Sequence, residues 1–197
     1  MADPDAQAIQ AVLNGDVERY AQLVDKYQAA TLRLAFSFLG NYEDARDVSQ
    51  DAFVSAYRSL RRFRSSARFS TWLYRIVVNA CKDVYKRRAR QPAVVASVGE
   101  PDPETDPGSL FVDVDDPTAS PSEQLANREL AHRLSEAIGK LSMKQRTAFM
   151  LHHVHGLPLE EVAAVMHCQV GTIKSHVFRA TEQLRVILSP WRAEERS

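Results

Sequence analysis

Residues 159–180 read Leu159-Glu160-Glu161-Val162-Ala163-Ala164-Val165-Met166-His167-Cys168-Gln169-Val170-Gly171-Thr172-Ile173-Lys174-Ser175-His176-Val177-Phe178-Arg179-Ala180. Leu159 to Met166 keeps apolar residues at helical spacing, and Pro158 suits the start of that helix. A three- or four-residue turn, His167-Cys168-Gln169-Val170, then leads into a longer helix from about Gly171 to Leu188. A short helix, a tight turn and a longer basic-tipped helix form the helix-turn-helix pattern. Ala163 or Ala164 supplies the small residue that lets two helices cross closely. Ile173, Val177, Ala180, Leu184 and Ile187 make the stripe to be buried. Thr172, Lys174, Ser175, His176, Phe178 and Arg179 crowd the first two turns, where side chains reach base edges and phosphates.

Upstream, Ser142 is placed to cap a helix carrying Ala148, Phe149, Leu151 and Val154, which His155-Gly156-Leu157-Pro158 stops. A helix opened by Ser122 runs before it toward Ile138 and Leu141. Between Gln91 and Pro121 stand Pro92, Pro101, Pro103, Pro107, Pro117 and Pro121 among Asp, Glu, Ser and Gly, with no apolar periodicity. That composition predicts a flexible acidic linker.

The block before the linker is helical as well. Val17, Tyr20, Leu23, Val24 and Tyr27 continue at helical spacing into Leu32, Leu34, Ala35, Phe38 and Leu39, and Gly40-Asn41 ends the run. A second run starts at Tyr42-Glu43-Asp44 and carries Ala45, Val48, Ala52, Phe53, Ala56, Tyr57 and Leu60 on one face, with Arg58, Arg61 and Arg62 suiting its C-terminal dipole. Ser70 or Thr71 is placed to cap a third helix through Trp72, Leu73, Ile76, Val77, Ala80, Val84 and Tyr85. No segment alternates convincingly with period two, so the expected fold is all-α.

The formal net charge is zero, yet residues 1–90 carry +5, residues 91–121 carry −7 and residues 122–197 carry +2. Arg58 to Arg90 holds 11 basic residues and the single acid Asp83 in 33 positions. Such density is the footprint of a polyanion partner, because neutralising phosphates releases counterions. Phe63, Phe69, Trp72, Tyr74 and Tyr85 interleave with those cations, as in surfaces that stack unpaired bases. Taken singly, Phe69 and Trp72 suit a core equally well; the basic surroundings favour a surface that captures a melted base.

A chain of 197 residues is too short for a (β/α)₈ barrel and long enough for two small domains. It shows no apolar run of membrane-spanning length, and Met1-Ala2-Asp3-Pro4-Asp5 lacks the character of a signal peptide, so a cytoplasmic location without membrane insertion is expected. Cys81 and Cys168 stand far apart and suggest neither disulfide nor zinc knuckle. No Gly-rich phosphate loop, nucleophile elbow or His-Glu-x-x-His occurs, so neither enzymatic activity nor a cofactor is expected. His152, His153 and His155 cluster, but adjacent helical residues diverge by about 100°; they are expected to be ordinary side chains, not metal ligands.

Two motifs carry a family resemblance. Asp44-Ala45-Arg46-Asp47-Val48-Ser49-Gln50-Asp51-Ala52-Phe53, followed by Phe69-Ser70-Thr71-Trp72-Leu73-Tyr74-Arg75-Ile76-Val77-Val78-Asn79, resembles region 2 of bacterial sigma factors. Gly156-Leu157-Pro158-Leu159-Glu160-Glu161-Val162-Ala163 and Val170 to Ala180 resemble region 4. Two such domains and a linker of about thirty residues resemble the extracytoplasmic-function (ECF) group of the sigma-70 family. The implied domains are 1–91 (region 2), 92–121 (linker) and 122–197 (region 4).

The resemblance implies that Asp44, Asp47, Gln50, Asp51 and Phe53 grip the clamp helices of the polymerase β′ subunit, with the β flap as a further polymerase contact of the chain. It assigns Arg62, Phe63, Arg64, Arg68, Phe69, Trp72, Arg75, Asn79, Lys82 and Lys86 to recognition and melting of the promoter −10 element. Thr172, Lys174, Ser175, His176, Phe178 and Arg179 match the −35 reader. The family commonly has Arg where this chain has His176, and a neutral imidazole cannot make arginine's bidentate guanine contact, so the −35 preference is expected to differ and to respond to pH. Core RNA polymerase, promoter DNA and an anti-sigma factor are the implied partners. The acidic linker is expected to lie across the basic faces of the free chain. Lys174-Ser175-His176 also resembles the output domain of LuxR-type regulators, which leaves a stand-alone helix-turn-helix regulator as the alternative.

Overall fold

The computed structural model describes residues 4–63, 67–90 and 121–194, and helix is the only regular structure among them. The helices are α1 (Ala6–Leu13), α2 (Arg19–Leu39), α3 (Tyr42–Ser59), α4 (Phe69–Arg90), α5 (Pro121–Gly139), α6 (Met143–Phe149), α7 (Leu159–Met166) and α8 (Val170–Glu194). A 3₁₀ turn, Leu60–Arg62, extends α3, and a π-helical turn, Met150–Val154, extends α6. Of the linker expected at 92–121, Pro121 already opens α5 and the rest lies outside the described residues, as does the expectation that it covers the basic faces.

Local chemistry sets most boundaries. Gly40 ends α2 in the left-handed region at φ 66°, with its N–H donating to Phe36 O at 2.9 Å. Asn41 belongs to the next helix: its backbone is extended and its side chain accepts from Asp44 N at 2.9 Å, an N-cap reinforced by Glu43 and Asp44 in the first turn. Ser142 caps α6 in a reciprocal capping box with Gln145.

Two expectations change. A further helix, α1, precedes α2 and buries Ile9 and Val12. Helix α4 starts at Phe69, so Ser70 and Thr71 lie inside it and neither caps it. The helix-turn-helix turn takes the three-residue length of the two expected, because Val170 already belongs to α8, and His167 in it adopts a left-handed conformation, φ 53°.

Helices α1 to α4 form one bundle. At one end Ile9, Val12, Leu23, Phe53, Ala56, Leu60, Phe69 and Leu73 pack together. At the other, Leu34, Phe38, Val48, Val77 and Cys81 join a core that runs without a break into Ile138, Leu141, Met150, Leu151, Val162, Ile173 and Leu184 of the second block. The two blocks therefore share buried apolar surface, with α4 against α7 and α2 against α5 and α6.

One buried cation spans that junction. Arg146, 8% exposed, donates to Ile138 O (3.1 Å), Leu141 O (3.3 Å) and Gly139 O behind α5, and to Ser37 O (3.0 Å) and Phe38 O (3.1 Å) at the end of α2. Both helix C-termini present carbonyls that the helix itself leaves over and the negative end of a dipole, and one guanidinium serves both ends, joined at Phe38 O by the Tyr85 hydroxyl.

Candidate nucleic-acid interface

Helix α4 turns Leu73, Tyr74, Val77, Val78, Cys81 and Val84 inward, which leaves Arg75, Asn79, Lys82 and Lys86 along its remaining side. Asn79 and Lys86 are exposed, while Arg75 and Lys82 are half-buried. At its N-terminal end Phe63, Phe69 and Trp72 meet as a trio with ring centroids 5.2–5.9 Å apart. A cavity of about 290 Å³ opens there, walled by Arg62, Phe63, Thr71, Trp72 and Arg75 on one side and by Ala164 and Val165 of α7 on the other. Cations beside flat rings suit a base with its phosphate.

Two residues expected on binding surfaces are core residues instead. Phe69 is 0% exposed, held by Tyr27 as well as Phe63 and Trp72, and offers no face to a base. Phe53 is 7% exposed inside the α1–α4 bundle, since its position on α3 points inward with Ala52 and Ala56. Asp47, Gln50 and Asp51 form the exposed acidic side of α3, and Asp44, half-buried, is paired with Arg88 of α4. Arg64 lies outside the described residues.

In the second block, Ile173, Ala180 and Leu184 are buried and Val177 and Ile187 pack partly against them, as the stripe requires. Thr172, Lys174, Ser175, Phe178 and Arg179 are exposed at the start of α8, Phe178 at 66%. A ring that large held in water is suited to an apolar contact with a base. His176 is half-buried, and its pKa is held below the ordinary value by burial first and then by Lys144 and Arg179. At neutral pH it is an uncharged imidazole.

The histidine cluster separates into different environments. His152 Nδ1 lies 2.8 Å from Leu157 O, and His153 packs on Phe149. His155 reaches across to the ring of Tyr74 at 5.0 Å; its Nε2 is buried without a partner, and burial, then Arg33, lowers its pKa to about 4. Among the described residues no group of three or more His, Cys, Asp or Glu side chains is placed to hold a metal ion. Burial pushes the Cys81 thiol up to about 12. No helix among the described residues is long and apolar enough to cross a membrane.

Sequence reasoning passed over Arg146 and the contact of Thr71 with Glu161. Arg146 stands in the polar run Lys144-Gln145-Arg146-Thr147, which gives no local sign that the first would be buried. Nothing local marks the second, whose partners are 90 positions apart.

Comparison with known proteins places these two faces in context. Residues 23–91 match the family "Sigma-70 region 2" and residues 131–184 match "Sigma-70, region 4". The chain is 35% identical over 188 residues to RNA polymerase sigma-H factor of Pseudomonas aeruginosa, covering 95% of each chain. It is 33% identical to ECF RNA polymerase sigma-E factor of Haemophilus influenzae, covering 94% of this chain and 96% of that one. In three dimensions it resembles the sigma factor RpoE in its complex with the anti-sigma factor NepR from Bartonella quintana (TM-score 0.67, 24% identity, covering 86% and 96% of the two chains). It resembles CnrH, solved with the cytosolic domain of CnrY, with the same TM-score and identity over 95% and 99%. Full-length similarity at this level, with both regions in order, makes the chain a member of the ECF group of the sigma-70 family of transcription initiation factors.

Proposed function

We propose that this chain binds core RNA polymerase, carries it to specific promoters through the −10 and −35 elements, and supports initiation, without catalysing a reaction itself. The observation that carries the reading is the pair of basic faces on one chain: Arg62, Phe63, Arg68, Trp72, Arg75, Asn79, Lys82 and Lys86 around α4, and Thr172, Lys174, Ser175, His176, Phe178 and Arg179 on α8. The α8 face is built for duplex DNA in the major groove, and the α4 face, with its rings and cavity, for unpaired bases. Linking two weak readers raises affinity through effective concentration.

The exposed acids Asp47 and Asp51, with Asp44 and Gln50 beside them, suit a basic polymerase surface such as the β′ clamp helices, and region 4 would meet the β flap. The division into residues 1–91, 92–121 and 122–197 follows, with a cytoplasmic site of action beside polymerase. An anti-sigma partner is supported by the two fold neighbours, RpoE solved with NepR and CnrH solved with CnrY. A stand-alone regulator of the LuxR type is not favoured, because those carry an α/β domain in front and the block here is a helical bundle.

Core polymerase supplied with the purified chain and a pool of genomic promoters tests the proposal. Discrete starts sharing −35 and −10 sequences are expected. Absence of polymerase binding and of starts, with duplex DNA still bound, would overturn it.

A further inference from the structure

Glu161, in the first turn of α7, leans onto the start of α4. Its Oε1 lies 3.3 Å from Arg68 Nε, and its Oε2 accepts the hydroxyl proton of Thr71. The Glu161 side chain is 23% exposed, Thr71 5% and Arg68 46%, so water screens this contact only in part, from the Arg68 side. Two oxygens of one anion, one on a guanidinium and one on a hydroxyl, are also how a phosphate diester is held. Next to them, Ala164 and Val165 of the same helix close the cavity lined by Arg62, Phe63, Trp72 and Arg75. Helix α7 thus walls the cavity on one side, and Glu161 anchors that helix to Arg68 and Thr71 beside it.

We infer that Glu161 is an internal competitor for the strand-binding face of α4: it fills the positions of two phosphate oxygens on Arg68 and Thr71, and so holds α7 over the cavity until the two blocks part. The inference rests on the reading of α4 as the −10 surface and adds how that surface is closed in the free chain. Its neighbour Glu160 is exposed and makes no such contact. Long-range repulsion of DNA would act through both acids alike, whereas competition acts through Glu161 alone.

The test is equilibrium binding of a fluorescent, mixed-sequence single-stranded DNA to the full-length chain at fixed salt. Glu161→Gln, which keeps the size and removes the charge, is expected to tighten binding about three- to tenfold, the scale of a partly screened ion pair. Glu160→Gln, with the same change in net charge, is expected to shift it less than about twofold. Glu161→Asp, which keeps the charge but falls short of Arg68, is expected to fall between wild type and Glu161→Gln, and it serves where the glutamine variant folds poorly. Equal gains from Glu160→Gln and Glu161→Gln would overturn the competition in favour of bulk charge. No gain from Glu161→Gln, while Arg75→Ala still weakens binding, would overturn the competition and leave the −10 reading standing. No strand binding by any variant, with Arg75→Ala also silent in open-complex formation by holoenzyme, would bring down both.

Discussion

Arg146 Nη1 donates to the carbonyl oxygen of Phe38 at 3.1 Å, a bond between residues 108 positions apart that ties the second helical block to the end of α2. The same guanidinium serves α5, so its removal strands acceptors on both sides of the junction. Arg146→Met, close in length and without donors, is expected to lower stability by about 2–4 kcal/mol. Urea denaturation checks this. Loss of under about 0.5 kcal/mol would show that water replaces the guanidinium without penalty.

His155 gives the fold an acid-side weakness. Its folded pKa of about 4 lies below the ordinary 6.5, so the unfolded chain binds the proton more readily throughout that interval. The contribution of neutral His155 is complete above pH 6.5 and drains away as pH falls toward 4, by on the order of 3 kcal/mol at most. His155→Phe preserves the ring against Tyr74 and is expected to flatten the decline of melting temperature over that window. An unchanged slope would assign the decline to other groups.

Phe69 and Trp72 are neighbours in one aromatic trio with different expected phenotypes. Phe69→Ala empties a fully buried site and should cost about 3–5 kcal/mol of stability. Trp72→Ala, at the cavity wall, should weaken single-stranded DNA binding by about 1–3 kcal/mol with a smaller effect on folding. Denaturation and strand binding on the same two samples separate the roles. Equal stability losses would dissolve the distinction.

His176 sets the reading at the tip of α8. With its pKa lowered, the imidazole stays neutral at pH 7, and any response of −35 recognition to acid should appear below pH 6.5. His176→Arg should add preference for guanine at one position, about 1–3 kcal/mol over the other bases. Selection from randomised duplexes by wild type and variant, at neutral and mildly acidic pH, reads both effects. Identical selected sequences would place His176 away from the bases.

Gly40 supports the turn between α2 and α3 by conformation alone, since a Cβ there would meet nothing within 4 Å. Gly40→Ala at φ 66° should therefore cost about 1–2 kcal/mol, measurable as a fall in the denaturation midpoint with the slope of the transition unchanged.

The amino-acid sequence determined whatever short-range chemistry controls. Helical spacing, the Gly40 stop and the Ser142 cap rest on contacts within one or two turns, and the stripe Ile173-Ala180-Leu184 on the repeat of a single helix. The helix-turn-helix and the basic stretch of α4 followed from the same periodicities. The inward placement of Phe53 and Phe69, the junction bonds of Arg146, the isolation of His155 beside Tyr74 and the seat of Glu161 on Arg68 and Thr71 were decided by tertiary structure alone. Each depends on which helix lies across from it, and a pattern along one helix tells that a face is apolar without telling what covers it. An aromatic beside many cations is equally consistent with stacking on a base and with packing on Tyr27. The choice belongs to the α1–α4 bundle, which buries Phe69 and leaves Trp72 at the edge.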